Sequence, residues 1–166
     1  MLVTSLEFIF IFLPLVLSGA LCVTGQRLLV WITVMSFGYY AFAGHAWFLL
    51  PMLATTVVDF YVAQKIYGAG PVAKRAWLCL SLSLSVGLLV YFKGSGVMVA
   101  GISFYSFQTM SYIIDVYRGR TAPTKNFWLF AAFVSFFPHL VAGPLTRHDQ
   151  LMPPLSKIAR EGIRPE

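Results

Sequence analysis

The sequence predicts an all-α, polytopic transmembrane protein with about five spanning helices and a broken sixth segment, kinked or re-entrant. Three observations predict it. Hydrophobic residues fill 58% of the 166 positions and charged residues only 11%, whereas a soluble domain carries about 25% charged residues. Mean hydropathy is +0.77, so a soluble globule would lack the polar surface to cover its core, and disorder is excluded by the same apolar excess. The basic residues stand in short connectors between long uncharged intervals, the arrangement that orients a helical membrane protein. A single transmembrane domain over residues 1–166 follows, with residues 147–166 forming a polar surface tail.

A helix needs about 20 apolar residues to cross about 30 Å of hydrocarbon. Residues 8–26 supply a first span, closed by Gly25-Gln26-Arg27. The N-terminus has Glu7 where a secretion signal has positive charge, and Ser18-Gly19-Ala20 is a poor cleavage site, so this span is expected to be retained. The next uncharged interval runs from 28 to 58 and splits at Gly44-His45 and Pro51, giving spans near 28–43 and 46–65. Gly68-Ala69-Gly70-Pro71 with Lys74 and Arg75 reads as a connector. Residues 76–92 give a short fourth span, Lys93-Gly94-Ser95-Gly96 a tight turn, and 97–117 a fifth span. The stretch 126–146 contains Pro138 and Gly143-Pro144 and is therefore not one smooth helix. Interrupted backbone at membrane depth survives only inside protein or beside a wet cavity, so this stretch is the expected cavity wall.

Net charge is +6. With the N-terminus outside, Arg27, Lys65, Lys74, Arg75, Arg118, Arg120 and Lys125 all fall on the cytoplasmic side, and only Lys93 and neutral His45 lie in outer connectors. A re-entrant stretch 126–146 returns Arg147, Lys157, Arg160 and Arg164 to the cytoplasm as well. Placed this way, the charge serves orientation in a lipid bilayer and gives no reason to expect nucleic acid as a partner. Neither a P-loop nor a dinucleotide-binding glycine pattern is present. Cys22 and Cys79 lie in separate apolar runs without a CxxC pair, so they read as small hydrophobes, with no metal site and no disulfide.

Three histidines are the side chains suited to act as a base near neutral pH. His45 sits at a turn beside Trp47, His148 opens the polar tail, and His139 lies within the broken stretch. His139 is thus the one catalytic candidate, weighed against a structural, hydrogen-bonded histidine, and otherwise no catalytic residue is assigned. Asp59 lies inside the third span, where a bare carboxylate must face protein or water, and an interhelical hydrogen bond is the leading reading. Asp115 and Arg118 are spaced to pair on one helix face. Ser103, Ser106, Gln108, Thr109 and Ser111 make the fifth span unusually polar, either as interhelical glue or as the lining of a path.

The run Gly101-Ile-Ser-Phe-Tyr-Ser-Phe-Gln108-Thr-Met-Ser-Tyr112-Ile-Ile-Asp115-Val-Tyr-Arg118-Gly119 closely resembles the membrane-bound O-acyltransferase family, and Asn126-Phe127 leading into Phe133-Val-Ser-Phe-Phe-Pro138-His139-Leu-Val-Ala-Gly143-Pro144 resembles its second hallmark. The resemblance is to the bacterial branch of alginate O-acetyltransferases and teichoic acid D-alanyl transferases. Leu88-Leu-Val-Tyr-Phe-Lys93, Arg147 and Leu151-Met-Pro-Pro-Leu155 extend it, as does the opening helix from Phe8 to Leu17. The family implies transfer of an acyl group, usually acetyl, from a cytoplasmic donor such as acetyl-CoA or an acyl carrier to a hydroxyl of an extracytoplasmic polysaccharide such as alginate. It implies the bacterial inner membrane, and partner proteins of a polysaccharide-modification complex. No cofactor is expected to stay bound. Ser103, Ser106, Gln108, Tyr112, Pro138, His139, Gly143 and Pro144 would shape the substrate tunnel.

Two departures stand out. The family has a longer loop and helix where this chain has only Gly94 to Ala100, and its catalytic histidine lies in a later Trp/Arg-rich segment with no counterpart in residues 1–166. The expectation is therefore a truncated chain, inactive alone. A non-catalytic membrane scaffold, a transporter-like fragment and a pseudogene product are the alternatives. Transporters pair interrupted segments in two related halves, and only one is seen here.

Overall fold

The computed structural model describes residues 6–43, 49–94, 102–136 and 148–161, whose regular elements are all helices, with no strand among them. A π-helical stretch, Phe8–Phe12, runs into α1 (Leu13–Cys22). It is followed by α2 (Gln26–Ala43), α3 (Leu49–Gly68), α4 (Pro71–Gly94), α5 (Ile102–Tyr117), α6 (Phe127–Ser135) and α7 (His148–Glu161). Helices α1 to α5 occupy the intervals expected of the five spans. Of these, α3 and α4 are long and apolar enough to cross a membrane, while the Phe8–Cys22 helix is apolar but shorter.

Local chemistry explains the boundaries. Gly25 turns the chain between α1 and α2 at a φ of 70°, which only glycine adopts without cost. Lys74 and Arg75, expected in a connector, instead belong to the first turns of α4, because Pro71 opens that helix. Proline's missing N–H is not needed at a helix start and its fixed φ already suits the helix, so the break narrows to Ala69 and Gly70. At the start of α6 the Asn126 side chain accepts from Trp128 N (3.0 Å) and Leu129 N (3.3 Å), capping two otherwise open donors. The tail is also more ordered than a surface strand of polar chain. It forms α7, whose Leu155 is buried in the main core with Leu151 and Met152 packed beside it, while Pro153, Pro154 and Lys157 stay exposed.

The helices pack as an α3–α4–α5 group joined to α2 and α6, with α7 against α6 and α2. Met52, Phe60, Ile66, Tyr105, Tyr112, Ile113, Phe130 and Phe133 belong to one buried cluster. The first helix packs separately, through Phe8, Phe12 and Val16 on Tyr39. Gly19 is small for a reason visible here: the indole of Trp31 lies across it, so a methyl group would overlap the ring, and Trp31 Nε1 donates to Val16 O at 3.1 Å. Thr33, Thr56 and Ser135 each donate to the carbonyl one turn earlier, at 2.7 Å, so their hydroxyls are satisfied within their own helices.

Candidate functional site

Polar chemistry inside the bundle concentrates on α5, which faces α3 and α4 on one side and α6 on the other. Residues one turn apart bring hydroxyls and one carboxylate to the α3–α4–α5 seam: Thr55 with Asp59, Ser81 with Ser85, and Tyr105 with Thr109. The Tyr105 hydroxyl donates to Met52 O at 2.7 Å and lies 2.8 Å from both the Thr55 and Thr56 hydroxyls. Two turns along α3, Asp59 is 1% exposed and its Oδ1 accepts from Ser81 Oγ at 2.6 Å. Thr109 lies beside the same carboxylate, although its hydroxyl donates to Ser106 O at 3.0 Å. Asp59 Oδ2 has no hydrogen-bond partner among the described residues. The interhelical bond expected for Asp59 is thus present.

On the α6 side, α5 holds a helix that stops early. After Ser135 the backbone leaves the helix at Phe136, with φ −53° and ψ 101°. A helix end leaves carbonyls without partners, and inside an apolar bundle each must find a donor. Gln108 supplies one, its Nε2 donating to Phe133 O at 2.9 Å. Tyr112 ties down the other end of α6, accepting from Thr124 N at 3.0 Å while its ring packs 5.1 Å from that of Phe130. Gln108 and Tyr112 therefore act as ties between α5, α6 and the loop before it. Ser103 is half-buried, and Ser106 is buried with its hydroxyl unpartnered among the described residues. Pro138, His139, Gly143, Pro144 and His45 lie outside the described residues, and His148 opens α7.

The far end of α5 corrects one sequence expectation. Asp115 pairs with Arg120, at 3.6 Å, and not with Arg118. Gly119 adopts a φ of 69°, Arg120 N donates to Asp115 O at 3.0 Å and Gly119 N to Val116 O at 3.1 Å. This is the glycine-terminated helix end that folds the following residue back over the last turn, carrying Arg120 to the carboxylate. Arg118 remains exposed, with no ion pair among the described residues. Lys74 sits over the Tyr117 ring, 5.3 Å from its centre, so the start of α4 and the end of α5 share one basic end of the bundle. On the outer face of α5 there, Phe107, Met110, Ile114, Asp115 and the two arginines line an open groove of about 340 Å3.

Sequence reasoning missed the Tyr105 hub and the Ser81 partner of Asp59. The available signal was the four-residue spacing of polar residues on three consecutive helices. Among the described residues no group of three or more His, Cys, Asp or Glu is placed to hold a metal ion, and Cys22 and Cys79 are free and exposed.

Comparison with known proteins agrees with the motifs. The chain is 35% identical over 182 aligned positions to the probable alginate O-acetylase AlgI of Pseudomonas putida, covering 92% of this chain and 36% of that protein. It is 35% identical to the Pseudomonas aeruginosa protein of the same name, covering 92% of this chain and 34% of the relative. A peptidoglycan O-acetyltransferase of Helicobacter pylori is 30% identical, with 88% of this chain and 37% of the relative covered. The chain thus spans about a third of the length of the curated relatives it matches. The 182 positions aligned with the Pseudomonas putida protein exceed the 166 residues here, so that relative carries residues this chain lacks. No family model and no solved structure matches.

Proposed function

We propose, on the premise that this chain is a homologue of O-acetyltransferases of the membrane-bound O-acyltransferase type, that it forms the helical wall of a membrane O-acyltransferase. In this reading an acetyl group passes from a cytoplasmic donor, acetyl-CoA or an acyl carrier, to a hydroxyl of an extracytoplasmic polysaccharide such as alginate. The chain sits in the bacterial inner membrane with its N-terminus outside, and partner proteins of a polysaccharide-modification complex supply the acceptor. Donor and acceptor on opposite sides require a water-containing passage. The stretch from Pro138 to Pro144 and the polar residues of α5 would shape that passage, while Gln108 and Tyr112 hold α6, the helix that leads to it.

The observation that carries this reading is the early end of α6, with its open carbonyl taken by Gln108 from the neighbouring helix at 2.9 Å. A helix stopped and braced within an apolar bundle is how irregular backbone is tolerated next to a cavity. The proton transfer itself needs a base within hydrogen-bond reach of the acceptor hydroxyl. In this reading that base is not among the described residues, and the chain alone is inactive.

Cysteine accessibility tests the passage. In a background with Cys22 and Cys79 replaced by Ala, Gly143→Cys and Ser103→Cys in membranes should react with a water-soluble thiol reagent, and Leu84→Cys on the outer face of α4 should not. Protection of Gly143→Cys to the same degree as Leu84→Cys would remove the passage. Membranes holding the chain alone should transfer no labelled acetyl to alginate; transfer that disappears in His139→Ala would make His139 the base and overturn the assignment of roles.

A further inference from the structure

The outer face of α5 carries a stripe that the seam and the α6 contacts leave untouched. Phe107, Met110 and Ile114 follow one another at helical spacing along it, and Phe107 is among the exposed large hydrophobics. The stripe ends at the helix terminus in Arg118 and Arg120, and the whole forms an open groove of about 340 Å3. An apolar floor closed at one end by guanidinium groups has the polarity of a single amphiphile lying along a membrane helix, with its chain beside the floor and its headgroup at the rim.

Charge selects the headgroup. Asp115 engages Arg120 at 3.6 Å, and the backbone of the helix end fixes that pair in place. Arg118 is left exposed without an ion pair among the described residues. Two arginines against the single carboxylate of Asp115 leave the groove's rim with a net positive charge, and Lys74, over Tyr117 at the same end of α5, adds to it from outside the groove. A planar guanidinium with free donors matches a phosphate diester, and basic residues at a membrane surface attract anionic lipid. A free phosphate would use only the rim and leave the apolar floor bare. We infer that this groove binds one anionic phospholipid, its phosphate on Arg118 and an acyl chain along Phe107, Met110 and Ile114. The inference rests on the membrane placement proposed above, with this end of α5 facing the cytoplasm.

Native mass spectrometry of the full chain released from detergent, titrated with phosphatidylglycerol or phosphatidylcholine, tests it. Phosphatidylglycerol should bind as one retained molecule and more tightly than phosphatidylcholine. Arg118→Gln should weaken the phosphatidylglycerol complex about fivefold, as expected for one basic contact with an anionic surface. Ile114→Asn should weaken both lipids, and Arg75→Gln, at the start of α4, should change neither. Equal binding of the two lipids, no effect of Arg118→Gln, or full displacement of phosphatidylglycerol by inorganic phosphate or by coenzyme A would each overturn the inference. Recovery of the expressed chain in the soluble fraction of cells would instead defeat the membrane placement itself, an outcome read before any lipid is added.

Discussion

The seam between α3, α4 and α5 and the packing around α6 are built from different materials. In the seam, small hydroxyls and one carboxylate are fully buried and meet through directed bonds, Ser81 to Asp59 at 2.6 Å and Tyr105 to Met52 O at 2.7 Å. Around α6 the contacts are rings: Phe60 lies edge-on to Phe127 at 5.3 Å, and Tyr112 is tilted against Phe130 at 5.1 Å. The difference is instructive for a bundle in lipid. Lipid tails are as apolar as leucine, so hydrophobicity alone gives helices little reason to associate, and what remains is close packing and interhelical hydrogen bonding. The seam relies on the second, whereas the α6 region relies mainly on the first and adds the Gln108 bond to Phe133 O.

The comparison breaks most visibly at Phe130, which is wholly buried and touches both Tyr112 and Phe60. Phe130→Ala should cost about 3–5 kcal/mol, the range for emptying a large aromatic site in a packed core. Equilibrium unfolding in detergent micelles measures it. A loss of under about 1 kcal/mol would mean that the rings do not hold α6, since even a modest core truncation exceeds that.

Gln108→Leu comes next, because it preserves volume while leaving Phe133 O without the donor 2.9 Å away. An orphaned buried acceptor costs about 1–3 kcal/mol. The loss should appear locally, as faster protease cleavage after α6 with the α3–α4 pair still protected. Cleavage unchanged from the parent chain would show that Gln108 braces nothing.

How much of this was legible in the sequence differs between the same two regions. That residues 126–146 do not form one smooth helix is read from Pro138 and the Gly143-Pro144 pair; α6 does end at Ser135, and those prolines lie outside the described residues. Helix positions were read from uncharged intervals, and Asp59 was read as needing a partner because a carboxylate among apolar residues has few other options. Its partner was not legible, since register between α3 and α4 depends on where the turn falls, and Pro71 starting α4 moved Lys74 and Arg75 out of the connector. Arg120 displaced Arg118 as the mate of Asp115 for a similar reason. Simple spacing assumes that the helix continues, whereas Gly119 ends it and reverses the chain. Gln108 is legible as either interhelical glue or path lining, and Tyr112 only through the resemblance, because what each does turns on contacts to α6 and the loop before it that lie far along the chain.

The smallest effects sharpen the contrast by depth. Ser81→Ala removes the hydroxyl 2.6 Å from Asp59 in the buried seam, and Arg120→Gln removes the guanidinium 3.6 Å from Asp115, an arginine whose side chain is 59% exposed. Hydrogen bonds between membrane helices contribute about 0.6 kcal/mol on average and up to about 1.7. The Ser81 bond belongs near the upper end, because its acceptor is a buried carboxylate that then loses its donor from α4. Water and salt screen the Arg120 pair, which limits it to about 0.2–1 kcal/mol. Raising salt should therefore erase the Arg120→Gln effect on thermal unfolding and leave the Ser81→Ala effect intact. Were Arg120→Gln the more damaging change at high salt, burial of Asp59 would not be what makes the seam bond matter, and the two polar ties would have to be ranked by geometry instead of depth.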